Sequence, residues 1–320
     1  MTPRVIDRAG QANQPGQFEG HGRDQPPPPP LTSSATGESA ILAPETLEGW
    51  YAIHQVWRFD RGAIRRLSSV ERHEIVAEAA AVWSELAASV QQTAGGAQPA
   101  GGWSATAELV GSLGDLMVLH FRPTLDDVGE AERRFEGTRL FEYLAPVTTF
   151  LSVTEAGLYH VTAAVAAARQ AAGGEPGDAV YREEVAARAT AERQNPHVVR
   201  RLYPALPADM PYVCFYPMSK RRVVGQNWYA LTLEERSRLM HAHGATGRRY
   251  AGRVQQVITG AIGLDAWEWG VTLFARDPLE VKRLVTDMRF DEVSAQYAEF
   301  GHFYFGRLID VHAWLVRTFG

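Results

Sequence analysis

"YVCFYPMSKRR", Tyr212 to Arg222, poses the fold problem in eleven residues. Tyr212, Val213, Cys214, Phe215 and Tyr216 are β-branched, aromatic or apolar, and such residues suit a pleated, mostly buried surface. Pro217 lacks a backbone donor, so the strand is expected to end there or to lie at a sheet edge. Lys220, Arg221 and Arg222 follow at once. On strand period Tyr216, Met218 and Lys220 share one side, a phenol, a thioether and an ammonium along one wall. Taken alone, the plainer reading is a strand running into a solvated basic loop.

Working toward the C-terminus, "TLEERSRLMHAHG" reads as a helix. Thr232 and Glu235 form its capping box and Gly244 is its expected stop. "RVQQVITGAIG" and "AWEWGVTLFA" read as two strands. Pro278 opens a helix through about Met288, a further helical piece lies near Glu292–Phe300, and "GHFYFGRLI" (Gly301–Ile309) is the last strand. The order is β-α-β-β-α-β.

Toward the N-terminus the same order appears once more. "WYAIHQVWRF" (Trp50–Phe59) is a strand, and Ser68 with Glu71 caps a helix carrying Ile75, Val82 and Leu86 at helical spacing. A Gly/Ala/Pro loop (Ala94–Gly102) leads to the strand pair "WSATAELV" and "DLMVLHF". Pro123 opens a helix through about Phe135, and "VTTFLSVTE" (Val147–Glu155) closes the set. An Ala-rich helical connection from Thr162 to Gln194, broken at "GGEPG", joins the two passes. The fold class is therefore α+β: two ferredoxin-like (βαββαβ) units, residues 45–160 and 206–320, joined by segment 161–205. Together they are expected to build a barrel-type subunit. Residues 1–44, rich in Gly, Pro, Gln and Ser, are expected to form a disordered tail.

Composition narrows the chemistry. The chain has 320 residues, 45% of them hydrophobic, with a net charge of −5. That charge gives no general pull toward nucleic acid or anionic membrane. A single cysteine excludes an internal disulfide, a Cys-rich zinc site and a C-x-x-C-H heme attachment. It fits a reducing compartment. With neither a membrane-spanning apolar run nor a signal pattern, the expected location is cytoplasmic. G-x-G-x-x-G after a strand, Walker A, H-E-x-x-H and G-x-S-x-G are all missing, which removes most support for nucleotide, zinc-protease and serine-hydrolase readings.

Two histidines lie near the end of the capped helix. Leu239 and Met240 share the face of His243, which should look inward, while His241 aligns with Ser237 and Arg238 and should look into water. An imidazolium satisfied by the helix dipole is the plain alternative for His243. With no second ligand at metal spacing, a lone interior His fits a porphyrin iron better than zinc, because the macrocycle supplies four ligands. Porphyrin carboxylates need cations or hydroxyls, and Lys220, Arg289, Ser294 and, more weakly, Arg201 are the candidates. Arg289 lies between Met288 and Phe290, and an internal partner such as Asp291 or Glu292 is its plain alternative. Gln255 and Gln256 alternate on a strand, so one amide should point inward.

"FYPMSKRR", "NWY", "HGATGRRYAGRVQQVITG", "GLDAWEWGVTLFA" and "MRFDEVSAQYAEFGHFYFG" together resemble the coproheme decarboxylases, the heme-forming branch of the chlorite dismutase-like proteins. The likeness is dense from about Asn195 onward, looser over Trp50–Glu155, and does not reach the tail. It implies two ferredoxin-like halves per subunit, a homo-oligomer, usually a pentamer, and transient contact with the enzyme that supplies the substrate. It also implies that iron-coproporphyrin III is both substrate and redox cofactor. Hydrogen peroxide would drive oxidation of two of its four propionates to vinyl groups, leaving heme b. By resemblance His243 is the iron ligand and Tyr216 the residue oxidised to a radical. Lys220 holds a propionate and aids the second decarboxylation, Met218 lines the wall, Arg289, Ser294 and Arg201 bind propionates, Gln256 lies on the distal side, and Trp228 and Trp269 line the surroundings. Chlorite dismutases carry Arg where this chain has Gln256, and with Gln no strong base for peroxide is evident. The alternatives are a chlorite dismutase or peroxidase of the same fold, and a heme carrier or sensor without turnover.

Overall fold

The computed structural model describes residues 42–88 and 101–319; the expected tail up to residue 41 and most of the expected loop at 94–102 lie outside the described residues. In chain order the elements are β1 (Thr46–Phe59), α1 (Arg61–Arg65), α2 (Ser69–Ala88), β2 (Trp103–Leu109), β3 (Leu116–Arg122), α3 (Leu125–Glu136) and β4 (Leu144–Gly157). Three helices follow, α4 (Tyr159–Ala171), α5 (Ala179–Glu192) and α6 (Pro196–Leu202). The second half holds β5 (Tyr212–Lys220), β6 (Arg222–Val223), β7 (Gln226–Asn227), α7 (Leu233–Arg248), β8 (Val254–Gly260), β9 (Trp269–Ala275), α8 (Pro278–Arg289), α9 (Glu292–Tyr297), β10 (Ala298–Phe300), β11 (Tyr304–Leu308) and α10 (Val311–Phe319). The fold is mixed α+β, as the doubled element order implies.

The predicted caps form. Ser68 and Glu71 exchange backbone and side-chain hydrogen bonds ahead of α2, and Thr232 and Glu235 do the same at α7. Such a cap is worth about 1 kcal/mol.

The main sheet closes on itself. Following hydrogen bonds, β5 pairs with β11, then come β2, β3, β1, β4, β8 and β9, and β9 returns to β5. Every one of these pairings is antiparallel. The two passes of the chain therefore share one barrel, stitched at β4–β8 and at β2–β11. Alternation sends one face of each strand inward. Trp50, Ala52 and Val56 of β1, Trp103 of β2, Leu119 and Phe121 of β3, Phe215 of β5 and Phe274 of β9 meet in the barrel core. Trp103 stacks on Phe121 with centroids 4.1 Å apart, a contact worth about 0.5–1.5 kcal/mol beyond its buried area.

The outer face carries two helix layers, packed differently. On the first half Trp57, Trp83, Phe135 and Trp314 are all buried between strands and helices α2, α3 and α10. On the second half the strand face under α7 and α8 carries buried Tyr216, Val271 and Leu273 and partly buried Met218 and Phe300, with Phe303 of the following loop packed against them. Most of the candidate site residues lie on this second side.

Three expectations need correction. Pro217 neither ends β5 nor lies on an edge strand: β5 runs on to Lys220 with neighbours on both sides. The missing donor is tolerated because the neighbouring chain detours there. β11 pairs up to Phe215 and β10 resumes at Met218, with Gly301 N–H donating to the Pro217 carbonyl at 2.8 Å. Gly244 does not stop α7, which continues to Arg248. The expected helical piece at Glu292–Phe300 ends at Tyr297 and becomes β10, and α1 and α10 lie outside the sequence reading.

Candidate functional site

Residues opposite one another on antiparallel strands point to the same face. On the helix-facing side this builds rows. Trp269 of β9, Met218 of β5 and Phe300 of β10 form one row; Val271 and Tyr216 form the next; Gln256, Leu273 and Cys214 form a third. The sequence expectation that Tyr216, Met218 and Lys220 share a wall holds on the same register. Helices α7, α8 and α9 pack together over this face.

Tyr216 is buried and stacks on Phe303 with centroids 4.2 Å apart. Burial pushes its phenol well above the ordinary tyrosine value, with Cys214 adding to the rise and Arg289 opposing it. The phenol stays protonated and is the form that can lose a hydrogen atom.

Arg289 ends α8 and lays its guanidinium over Phe300 at 3.7 Å from the ring centroid, with Phe303 at 5.9 Å. Its two plain partners are engaged elsewhere. Asp291 binds His243, and Glu292 takes Arg238 at 3.4 Å. Among the described residues no carboxylate pairs with Arg289, which is exposed.

Lys220 is 8% exposed at the end of β5, and its ammonium lies 4.3 Å from the ring centroid of Trp228. Burial lowers it to about 8, against the upward pull of Asp291 and Glu268. Trp228 is almost wholly buried among Leu239, Val293 and Tyr297.

His243 faces the protein and His241 faces water, in agreement with their helical phase. Nδ1 of His243 lies 3.0 Å from Oδ2 of Asp291. Asp291 is the N-cap of α9; it accepts from the Ser294 backbone N–H at 3.1 Å and from its hydroxyl at 3.3 Å. Burial acts to raise the Asp291 carboxyl, but the hydrogen bond and charge of His243 and the two Ser294 donors outweigh it and hold the group below the usual carboxylate range. With Nδ1 committed, Nε2 is the ring nitrogen left without a protein partner among the described residues. An imidazole held in this way is one that can serve as a ligand through Nε2.

The remaining predicted residues fall into two places. Gln256, on the wall, donates from Nε2 to the Gly247 carbonyl of α7 at 3.2 Å, while Gln255 donates to Ala205 on the opposite face. Trp269 donates from Nε1 to Oε1 of Glu155 at 2.7 Å. Arg201, solvent-accessible at the end of α6, is linked to this station by charge: the surrounding protein lowers its guanidinium and Glu155 raises it. Burial in turn raises the Glu155 carboxyl, and Trp269 and Arg201 pull it back. No group of three or more His, Cys, Asp or Glu able to hold a metal ion exists among the described residues.

Sequence reasoning missed four participants: Asp291 as the partner of His243, the Phe300–Phe303 shelf under Arg289, Glu155 and Glu268. A signal for the first was present. In "RFDEVS" an Asp stands three residues before Ser294, an N-cap spacing, and a carboxylate so held is not available to Arg289.

The geometry can be set beside known proteins. A family model described as chlorite dismutase matches residues 72–309. A structure titled as a novel heme-binding protein from Thermus thermophilus is 37% identical, with a TM-score of 0.71, covering 88% of this chain and 99% of its own. Chlorite dismutase from Candidatus Nitrospira defluvii, in complex with imidazole, superposes with a TM-score of 0.61 at 19% identity, over 85% of this chain and 96% of its own. An arginine-to-lysine mutant of the same enzyme gives the same values. By the extent of the family match and the Thermus likeness, the chain belongs to the chlorite dismutase family.

Proposed function

We propose that this protein binds iron-coproporphyrin III and, with hydrogen peroxide, oxidatively decarboxylates two of its four propionates to vinyl groups, giving heme b. One observation carries the reading: an oxidisable, buried phenol, Tyr216, shares a wall with Lys220, Arg289 of α8 lies over the Phe300 edge of that wall, neither cation has a carboxylate partner among the described residues, and the helix above presents His243 with only Nε2 to spare. The donor set fits an iron porphyrin. His243 would take the iron, and Lys220, Arg289 and Arg201 would take carboxylates, with the Ser294 hydroxyl available if it turns from Asp291.

When bound, the iron supplies the site where peroxide is reduced. The protein's own residues do the rest. Asp291 holds the proton of His243 on Nδ1 and keeps the ring turned. Lys220 and Arg289 fix the substrate's acidic edge, and burial beside Trp228 strengthens the contact at Lys220. Tyr216 passes one electron and its phenolic proton onward and then recovers a hydrogen atom from a propionate carbon. The balance closes for each side chain: one propionate, one peroxide and one proton become one vinyl group, one carbon dioxide and two waters. Gln256 offers an amide and no base, so proton removal from peroxide falls to solvent or to the substrate's own carboxylates.

The test is to add ferric coproporphyrin, titrate peroxide and follow products by mass. Stepwise appearance of mono- and then di-decarboxylated product supports the reading; peroxide consumption without mass loss refutes it. The description of the Thermus protein as heme-binding keeps a carrier as the competing reading. A carrier would bind heme b at least as well as the tetra-acid and leave peroxide unspent. Rapid oxygen release from chlorite would instead favour a chlorite dismutase.

A further inference from the structure

Glu268 stands just before β9 and is 8% exposed. The β5–β9 ladder ends at Met218–Trp269. Beyond it, the Lys220 N–H finds its acceptor not in backbone but in Oε2 of Glu268, at 2.7 Å. The Glu268 N–H donates to the Met218 carbonyl at 3.1 Å and to the Ser219 hydroxyl at 3.3 Å. Its carbonyl accepts from Ala261 at 2.8 Å. Glu268 is thus pinned against the last step of β5, and its side chain extends the ladder to the lysine.

Two carboxylates bear on the Lys220 ammonium, Asp291 and Glu268, and neither forms an ion pair with it. Asp291 is engaged by His243 and Ser294. The cations nearby are Arg222, 3.7 Å from Oε1 of Glu268, and Arg221, which reaches Glu299 at 4.0 Å. Tyr229, whose phenol is raised by burial and by Glu268, and Tyr297, beside Trp228, are the other titratable neighbours. An ammonium over an indole in a dry site loses its proton easily unless a negative charge stands near.

We propose that Glu268 is a positioning residue for Lys220: it fixes the strand end that carries the lysine and supplies the buried negative charge that keeps the ammonium able to grip a carboxylate. The proposal rests on the reading of this wall as the seat of an acidic porphyrin.

The experiment measures affinity of the full chain for ferric coproporphyrin, without peroxide, by absorbance titration across pH. Wild type is expected to lose affinity as pH rises, with a break near 8, and Lys220→Met to bind more weakly without that break. Glu268→Gln keeps the shape and removes the charge, so its break should move down by about one pH unit. An unmoved break in a folded Glu268→Gln protein overturns the proposal. Should that variant not fold, Glu268→Asp carries the test: it keeps the charge but draws it back from the strand end, so the break should again move down, and an unmoved break is equally decisive. Failure of the decarboxylase reading shows separately, as wild type that binds but yields no vinyl product. Wild type that does not bind at all overturns the site and this inference with it.

Discussion

Nδ1 of His243 and Oδ2 of Asp291 stand 3.0 Å apart, joining the C-terminal half of α7 to the first residue ahead of α9. That contact decides which imidazole nitrogen is free, on a helix packed over a wall that bears a phenol and a lysine, with Arg289 lying over its Phe300 edge. Asp291→Asn should leave α9 capped, since an amide oxygen still accepts the Ser294 N–H. It should nevertheless weaken binding of an iron porphyrin by about 10–100-fold. Absorbance titration beside a thermal melt checks both halves; unchanged affinity would disconnect Asp291 from ligation.

Tyr216→Phe removes one oxygen and keeps the stack on Phe303. The variant should bind ferric coproporphyrin as wild type does and form little heme b. Product analysis after a fixed dose of peroxide is the measurement, and normal yield would remove Tyr216 from the chemistry.

Two histidines carry a prediction about acid. His54 and His120 are fully buried, and desolvation lowers each to about 3. An unfolded histidine titrates near about 6.5. Between these values the unfolded chain binds protons that the folded chain refuses, so stability is present above the unfolded value and is lost as pH falls toward the folded one. Denaturant midpoints should fall steadily below about pH 6.5. Replacing both histidines by Gln should flatten the slope; a slope unaltered in the double variant would place its origin in carboxylates.

Barrel closure makes a glycine critical. A side chain at Gly306 of β11 would meet the Glu108 backbone carbonyl oxygen at 2.3 Å, at the seam between β11 and β2. Gly306→Ala should destabilise the fold by roughly 1–3 kcal/mol, as forced overpacking does. Chemical denaturation measures it, and a wild-type midpoint would show that the seam gives way without cost.

The elements were readable along the chain because their signals are local. Capping boxes at Ser68 and Thr232, Pro123 ahead of α3 and Pro278 at the first position of α8, and the β-branched and aromatic runs of β3 and β9 act over a few residues, and each element formed. The phase of α7 likewise separated His243 from His241, since helical geometry depends on spacing alone. The radical role proposed for Tyr216 came from resemblance, not from spacing.

What the local signals could not carry was partnership. Pro217 breaks a strand only if a neighbour needs its N–H, and the detour at Gly301–Phe303 removes that need. Gly244 ends a helix only if its backbone turns left-handed, and here it does not. Asp291 was expected beside Arg289, because sequence adjacency says nothing of direction; as the N-cap of α9 it pairs with His243 instead. Buried charges take their meaning from what lies within a few ångströms, and those distances run between segments some fifty residues apart, Lys220 to Glu268 and His243 to Asp291. The amino-acid sequence determined which strands and helices form and in what order. The closed barrel decided which side chains face one another, because only closure sets the register between the chain's two passes.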